Sequence, residues 1–170
     1  MKKIFSLFIV IFFLTSCSKD VQKKSLITEN ELESQVSEAY NEGIKSLEAG
    51  DVLFAAKKFN EAELLFPQSE WAPKSALMAV YSYYSQDYYV DSIAEAQRFI
   101  KIYPLHKNVD YAYYLLSLSY YEQIVDETKD LQSIVLAKKN FEILINKFPD
   151  SSYVLDSKFK IDLINDILAA

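Results

Sequence analysis

One repeated frame constrains this chain more than any other feature. Ala55, Phe59, Ala62 and Phe66, closed by Pro67, place apolar side chains at spacings of 4, 3 and 4 residues, which is the stripe of a single helix face. The frame returns at Ser92, Ala96, Phe99, Tyr103 and Pro104, and again at Ala137, Phe141, Leu144, Phe148 and Pro149. An aromatic residue directly precedes the proline each time. The closing prolines recur about every 40 residues, the period of stacked helical hairpins with room for an inserted loop. The frame predicts an all-α solenoid of antiparallel helix pairs. Composition agrees: two glycines and four prolines in 170 residues are too few for the many turns of an all-β fold.

The first pair is predicted to start near Glu31, turn at Gly50-Asp51 with Gly50 just past the helix end, and finish at Pro67. Gly43, Gly50, Ala55, Phe59, Ala62 and Pro67 fall at spacings that resemble the tetratricopeptide consensus, with small residues where two helices approach closely. The reading is a tetratricopeptide-type α-solenoid of about three and a half repeats, at 31–67, 68–104, 105–149 and a partial 150–170. Repeat two follows a linker at Gln68–Ala72, with Pro73 in the first helical turn. Repeat three carries an insertion, Val125–Leu131, whose Asp126, Glu127, Lys129 and Asp130 suit a solvated loop. They lack the spacing and the glycine of a calcium loop. The last helix, Ser152–Leu168, bears an apolar face of Phe159, Leu163, Ile164, Ile167 and Leu168. A further helix or a partner would have to cover its far side.

The N-terminus combines Lys2 and Lys3, the apolar run Ile4–Leu14 and the sequence Leu14-Thr15-Ser16-Cys17. Eleven apolar-dominated residues fall short of the ~20 needed to span a bilayer, so residues 1–16 are expected to be a signal peptide. Leu-Thr-Ser-Cys resembles the lipobox of bacterial lipoproteins. That resemblance implies cleavage before Cys17, diacylation of its sulfur and acylation of its new amine. Ser18, where an aspartate would favour inner-membrane retention, points to the outer membrane. Cys17 is the only cysteine, so it has no internal disulfide partner. Residues 17–30 are expected to form the lipidated cysteine and a flexible tether.

Catalysis has little support. His106 is the only histidine and sits in an inter-repeat loop. No glycine-rich phosphate loop, HExxH or GxSxG is present. No metal site or cofactor is expected. The formal net charge of −6 does not provide the basic face that nucleic acid requires. Thirteen tyrosines and eleven phenylalanines need either a core or a partner, and the chain is therefore expected to bind rather than catalyse.

Further residues make the resemblance specific. Arg98-Phe99-Ile100, then Pro104-Leu105-His106, then Asn108-Val109-Asp110-Tyr111, with the lipobox and helix pairs, resemble the BamD family of the β-barrel assembly machinery. The likeness covers residues 14–170, although that family has five repeats and this chain ends within the fourth. The resemblance implies a lipid-anchored scaffold at the periplasmic face of the outer membrane. Its implied partners are BamA, the other machinery subunits and the C-terminal signals of unfolded barrel proteins. The resemblance further implies that BamA docks on the family's C-terminal repeats, most of which lie beyond the part of the family this chain matches. A different tetratricopeptide lipoprotein, one mediating other cell-envelope interactions, is the alternative.

In such arrays the first helix of each pair lines the groove. Tyr40, Leu77, Tyr81, Tyr84, Tyr113 and Tyr120 are the expected groove residues, each tyrosine alternatively a packing residue between repeats. Tyr81, Tyr84 and Phe66 are expected to hold a peptide's aromatic side chains, and Lys74 its terminal carboxylate.

Overall fold

The computed structural model describes residues 29–123 and 131–169. The expected signal peptide, Cys17 and most of the tether lie outside the described residues, as does nearly all of the expected insertion. Among the described residues the chain forms seven helices: α1 (Glu29–Glu48), α2 (Val52–Leu65), α3 (Trp71–Tyr84), α4 (Tyr89–Ile102), α5 (Val109–Glu122), α6 (Leu131–Lys147) and α7 (Val154–Ala169). They pair as α1/α2, α3/α4 and α5/α6, with α7 packed on α6. The fold is the tetratricopeptide-type α-solenoid that the repeated frame predicts.

Local chemistry sets the hairpins. At the end of α1 the Gly50 amide donates to Leu47 O at 3.0 Å and the Asp51 amide to Ser46 O at 2.9 Å. Gly50 has φ +82°, and these bonds close a Schellman motif around it. Asp51 then caps α2, its Oδ1 accepting the Phe54 amide at 3.1 Å, so two residues end one helix and begin the next. The same motif closes α3, where the Asp87 amide donates to Tyr84 O and the Tyr88 amide to Tyr83 O. Here Asp87 occupies the glycine position, at φ +65°.

Two boundaries differ from expectation. Glu29 and Asn30, inside the expected tether, are already helical. Trp71 and Ala72, expected in the linker, are already helical. The α2–α3 connection is short because the Ser69 amide and Oγ both turn back onto Phe66 O, at 3.0 and 2.7 Å. Trp71 meanwhile packs edge-on against Tyr40, with centroids 5.1 Å apart.

The repeated frame is the core. Ala55, Ser92 and Ala137, then Phe59, Ala96 and Phe141, then Ala62, Phe99 and Leu144, are all fully buried. Phe66, Tyr103 and Phe148, which precede the prolines, are partly buried against the same clusters. Ile164 of α7 joins Leu118, Ile134 and Phe141 in the third cluster. Phe159 and Leu168, on the same apolar face, are exposed, matching the expectation that its far side is left uncovered here. The first helices of successive pairs touch directly, α1 with α3 and α3 with α5. That contact puts them on the inner side of the solenoid.

Candidate functional site

A cleft of about 1040 Å³ opens on this inner side. Tyr40 of α1 supplies one wall, with Trp71, Lys74, Leu77 and Tyr81 of α3 beside it. The loop Leu105–Asn108 and Tyr111 of α5 supply the other wall. On α3, residues 74, 77 and 81 share one helix face by their spacing.

Lys74 is held in place. Its Nζ lies 4.6 Å from the ring centroid of Tyr40 and 4.6 Å from that of Trp71, a cation–π contact with two rings. The ion pairs found among the described residues belong to Lys58 and Arg98. Lys74 therefore brings its charge to the cleft without a carboxylate partner among them. Tyr40 is nearly buried, and burial raises its phenol pKa. Leu77 is 7% exposed, so it belongs to the inter-repeat core as well as to the cleft floor. Tyr81 is 37% exposed and is the more accessible ring of the two tyrosines on α3 expected in the groove. Burial first, and then neighbouring tyrosines including Tyr153 and Tyr81, push the Tyr111 phenol up to about 12.

The structure thus brings together Tyr40, Lys74, Leu77 and Tyr81. It places the other expected residues elsewhere. Phe66 ends α2 and packs into the first cluster. Tyr84 packs between the second and third clusters, 6.0 Å from the Tyr89 ring. Tyr113 lies against Phe148, and Lys147 Nζ donates to its hydroxyl at 3.1 Å. The Tyr120 hydroxyl accepts from Gln97 Nε2 at 3.1 Å. Each of these rings meets residues of a second helix or its end.

Sequence reasoning missed Trp71, Tyr111 and the Leu105–Asn108 loop as cleft residues. Trp71 fell in the supposed linker. His106, read in the sequence as an inter-repeat loop residue and as part of the Pro104-Leu105-His106 motif, faces the cleft.

Comparison with known proteins adds the family. A family model described as an outer membrane lipoprotein, YfiO, matches residues 32–170. The outer membrane protein assembly factor BamD of Caulobacter vibrioides is 34% identical over 156 residues, covering 92% of this chain and 50% of that protein. That of Rickettsia prowazekii is 37% identical over 146 residues, covering 86% and 58%. That of Pasteurella multocida is 30% identical over 170 residues, covering 93% and 62%. The chain therefore spans 50–62% of the length of these relatives. Among solved structures, the C-terminal TPR-containing domain of a Plasmodium falciparum FK506-binding protein superposes with a TM-score of 0.56 at 19% identity. It covers 84% of this chain and 93% of that domain, a likeness of fold alone. With the matched model extending over nearly all of the helical array, the chain belongs to the YfiO family of outer membrane lipoproteins.

Proposed function

We propose that this chain is a non-catalytic scaffold in outer membrane protein assembly, and that its inner cleft receives an extended segment of an unfolded barrel protein. One observation carries the reading: the cleft, lined by Lys74, Lys107 and Glu70, pairs accessible aromatic surface at Tyr81 with the Lys74 ammonium held between Tyr40 and Trp71. Aromatic rings offer stacking area and hydroxyls to a peptide, and the ammonium offers a counter-charge to a terminal carboxylate. The similarity to proteins named outer membrane protein assembly factors supplies the class of client. Acylation of Cys17 would hold the scaffold at the periplasmic face of the outer membrane. BamA and the other machinery subunits are its proposed partners there.

The test is titration of a labelled C-terminal barrel peptide against the unmutated chain and Lys74→Ala. Saturable binding, weakened in the variant and less sensitive to the substitution at high salt, is the expected result, since an accessible charge pair is screened. Absence of saturable binding to the unmutated chain overturns the peptide reading.

A further inference from the structure

His106 sits in the loop between α4 and α5 and lines the cleft opposite Lys74's helix. Its Nδ1 accepts the backbone N–H of Asn108 at 3.3 Å. A backbone N–H can only donate, so Nδ1 carries the lone pair and the neutral ring bears its proton on Nε2. Among the described residues, the interactions of the His106 side chain are this bond and a perpendicular contact with Phe99, centroids 5.6 Å apart at 90°. Neither uses Nε2–H.

The loop is anchored at both ends. The His106 amide donates to Tyr103 O at 3.1 Å, and the Val109 amide to His106 O at 3.0 Å. Tyr103 packs on Phe99 at 5.3 Å. Its hydroxyl donates to the buried carboxylate of Glu63 at 2.8 Å. Burial first, and then nearby Lys107, lower the His106 pKa, which favours the neutral ring. An imidazole fixed in tautomer and orientation on a cleft wall is a preorganised hydrogen-bond donor.

We infer that His106 Nε2–H is a hydrogen-bond donor that holds the backbone of a bound peptide in the cleft, and that its acceptor is a main-chain carbonyl oxygen of an extended peptide. The inference rests on the peptide reading of the cleft. An extended segment away from a sheet carries carbonyls that lack partners, and a neutral donor matches a neutral carbonyl. Lys74, on the facing helix, remains available for charge. Side chains of the peptide alternate about the backbone, so aromatic groups can meet Tyr81 while the backbone meets His106.

The experiment uses the labelled C-terminal barrel peptide and a series of analogues, each with one backbone carbonyl replaced by a thioamide, which is a weaker acceptor. With the unmutated chain, one position in the series is expected to weaken binding several-fold. His106→Phe retains an aromatic edge for Phe99 but removes both the Nε2–H donor and the Nδ1 acceptor of the Asn108 amide. It is expected to bind the parent peptide about tenfold more weakly, the loss of one well-made hydrogen bond, and to be insensitive to the critical thioamide. His106→Gln, which restores an N–H near the Nε2 position, is expected to recover most of the affinity and the thioamide response. A simple loss of structure would not produce that position-specific coupling. If the unmutated chain binds the peptide but no thioamide position responds, or His106→Phe binds as tightly as the unmutated chain, the inference is overturned and the peptide reading stands. If the unmutated chain binds no peptide, both fall.

Discussion

Arg98 of α4 grips Glu63 of α2 with two guanidinium N–H groups, at 2.8 and 2.6 Å from the two carboxylate oxygens. Glu63 is almost fully buried. It also accepts from the Tyr103 hydroxyl at 2.8 Å, while Arg98 Nε donates to Glu95 at 2.8 Å. Repeat one is thereby tied to repeat two through a satisfied polar cluster. Beside Glu63, the Arg98 pKa lies well above its usual value. Replacing Arg98 by Met leaves a buried carboxylate without its cation. Breaking a buried pair costs about 3–5 kcal/mol, and partial exposure of Arg98 brings the expectation to the lower end of that range. Arg98→Met with Glu63→Gln is expected to recover much of the loss. Chemical denaturation of the single and double variants measures the coupling, and additive effects would mean that the pair does not act as a unit.

A Cβ built on Gly43 would lie 2.7 Å from Phe59 Cε1 and 2.9 Å from Cδ1. Phe59 is fully buried and has nowhere to swing. Gly43→Ala is expected to destabilise by about 1–3 kcal/mol through overpacking, despite alanine's better helix propensity. Phe59→Ala is expected to cost about 3–5 kcal/mol, and Phe141→Ala a similar amount. Thermal melting decides it: a rise in Tm for Gly43→Ala would show that the pair has slack.

Asp87 adopts a left-handed conformation that glycine takes without steric cost. Asp87→Gly is expected to stabilise the α3–α4 turn by a few tenths of a kcal/mol, up to about 1. The gain is reduced by loss of the 2.7 Å hydrogen bond from Tyr89. Equilibrium denaturation should show a higher midpoint, and a lower one would mean that the Tyr89 bond outweighs the backbone relief.

The solenoid was legible because its cause is periodic. Burial of Phe59, Phe99 and Phe141 needs a residue every third or fourth position, and the sequence displays that spacing without reference to other chains. Gly50 was visible as a turn, but its counterpart Asp87 was not, since aspartate is common on helix surfaces and only its φ betrays the role. The groove was half legible. Periodicity put Lys74, Leu77 and Tyr81 on one face of α3. It could not say that Tyr84, a single turn beyond Tyr81, meets the following repeat, because that depends on how the pairs stack. Glu63 and Arg98 were hidden for the same reason: their contact joins residues 35 apart.

Anchoring is tested at Cys17. Several acyl chains on one residue hold a protein to a membrane durably, each buried methylene contributing about 0.8 kcal/mol. Cys17→Ser is expected to block lipidation and precursor processing, leaving the domain out of the outer-membrane fraction. Fractionation with metabolic labelling by a fatty acid follows both, and unchanged attachment of the variant would remove the lipoprotein proposal.

Tyr81 and Tyr84 separate binding from packing on one helix. Tyr81 lines the cleft and is 37% exposed, whereas Tyr84 is packed between the second and third clusters. Burial, with Glu122 next, raises the Tyr84 phenol pKa, consistent with a ring held away from water. Tyr81→Ala is expected to weaken peptide binding by about 1–3 kcal/mol, the range for an interface anchor, with little change in Tm. Tyr84→Ala is expected to do the reverse, lowering Tm by opening a void between repeats while affinity, measured well below the melting transition, stays within about threefold, roughly 0.7 kcal/mol. Peptide titration beside thermal melting of both variants reads the two effects independently. Equal loss of affinity in both, with both folded, would extend the binding surface from the cleft across Tyr84 toward repeat three. Unchanged affinity in a folded Tyr81→Ala would leave the cleft's most accessible aromatic ring on α3 without a role in binding.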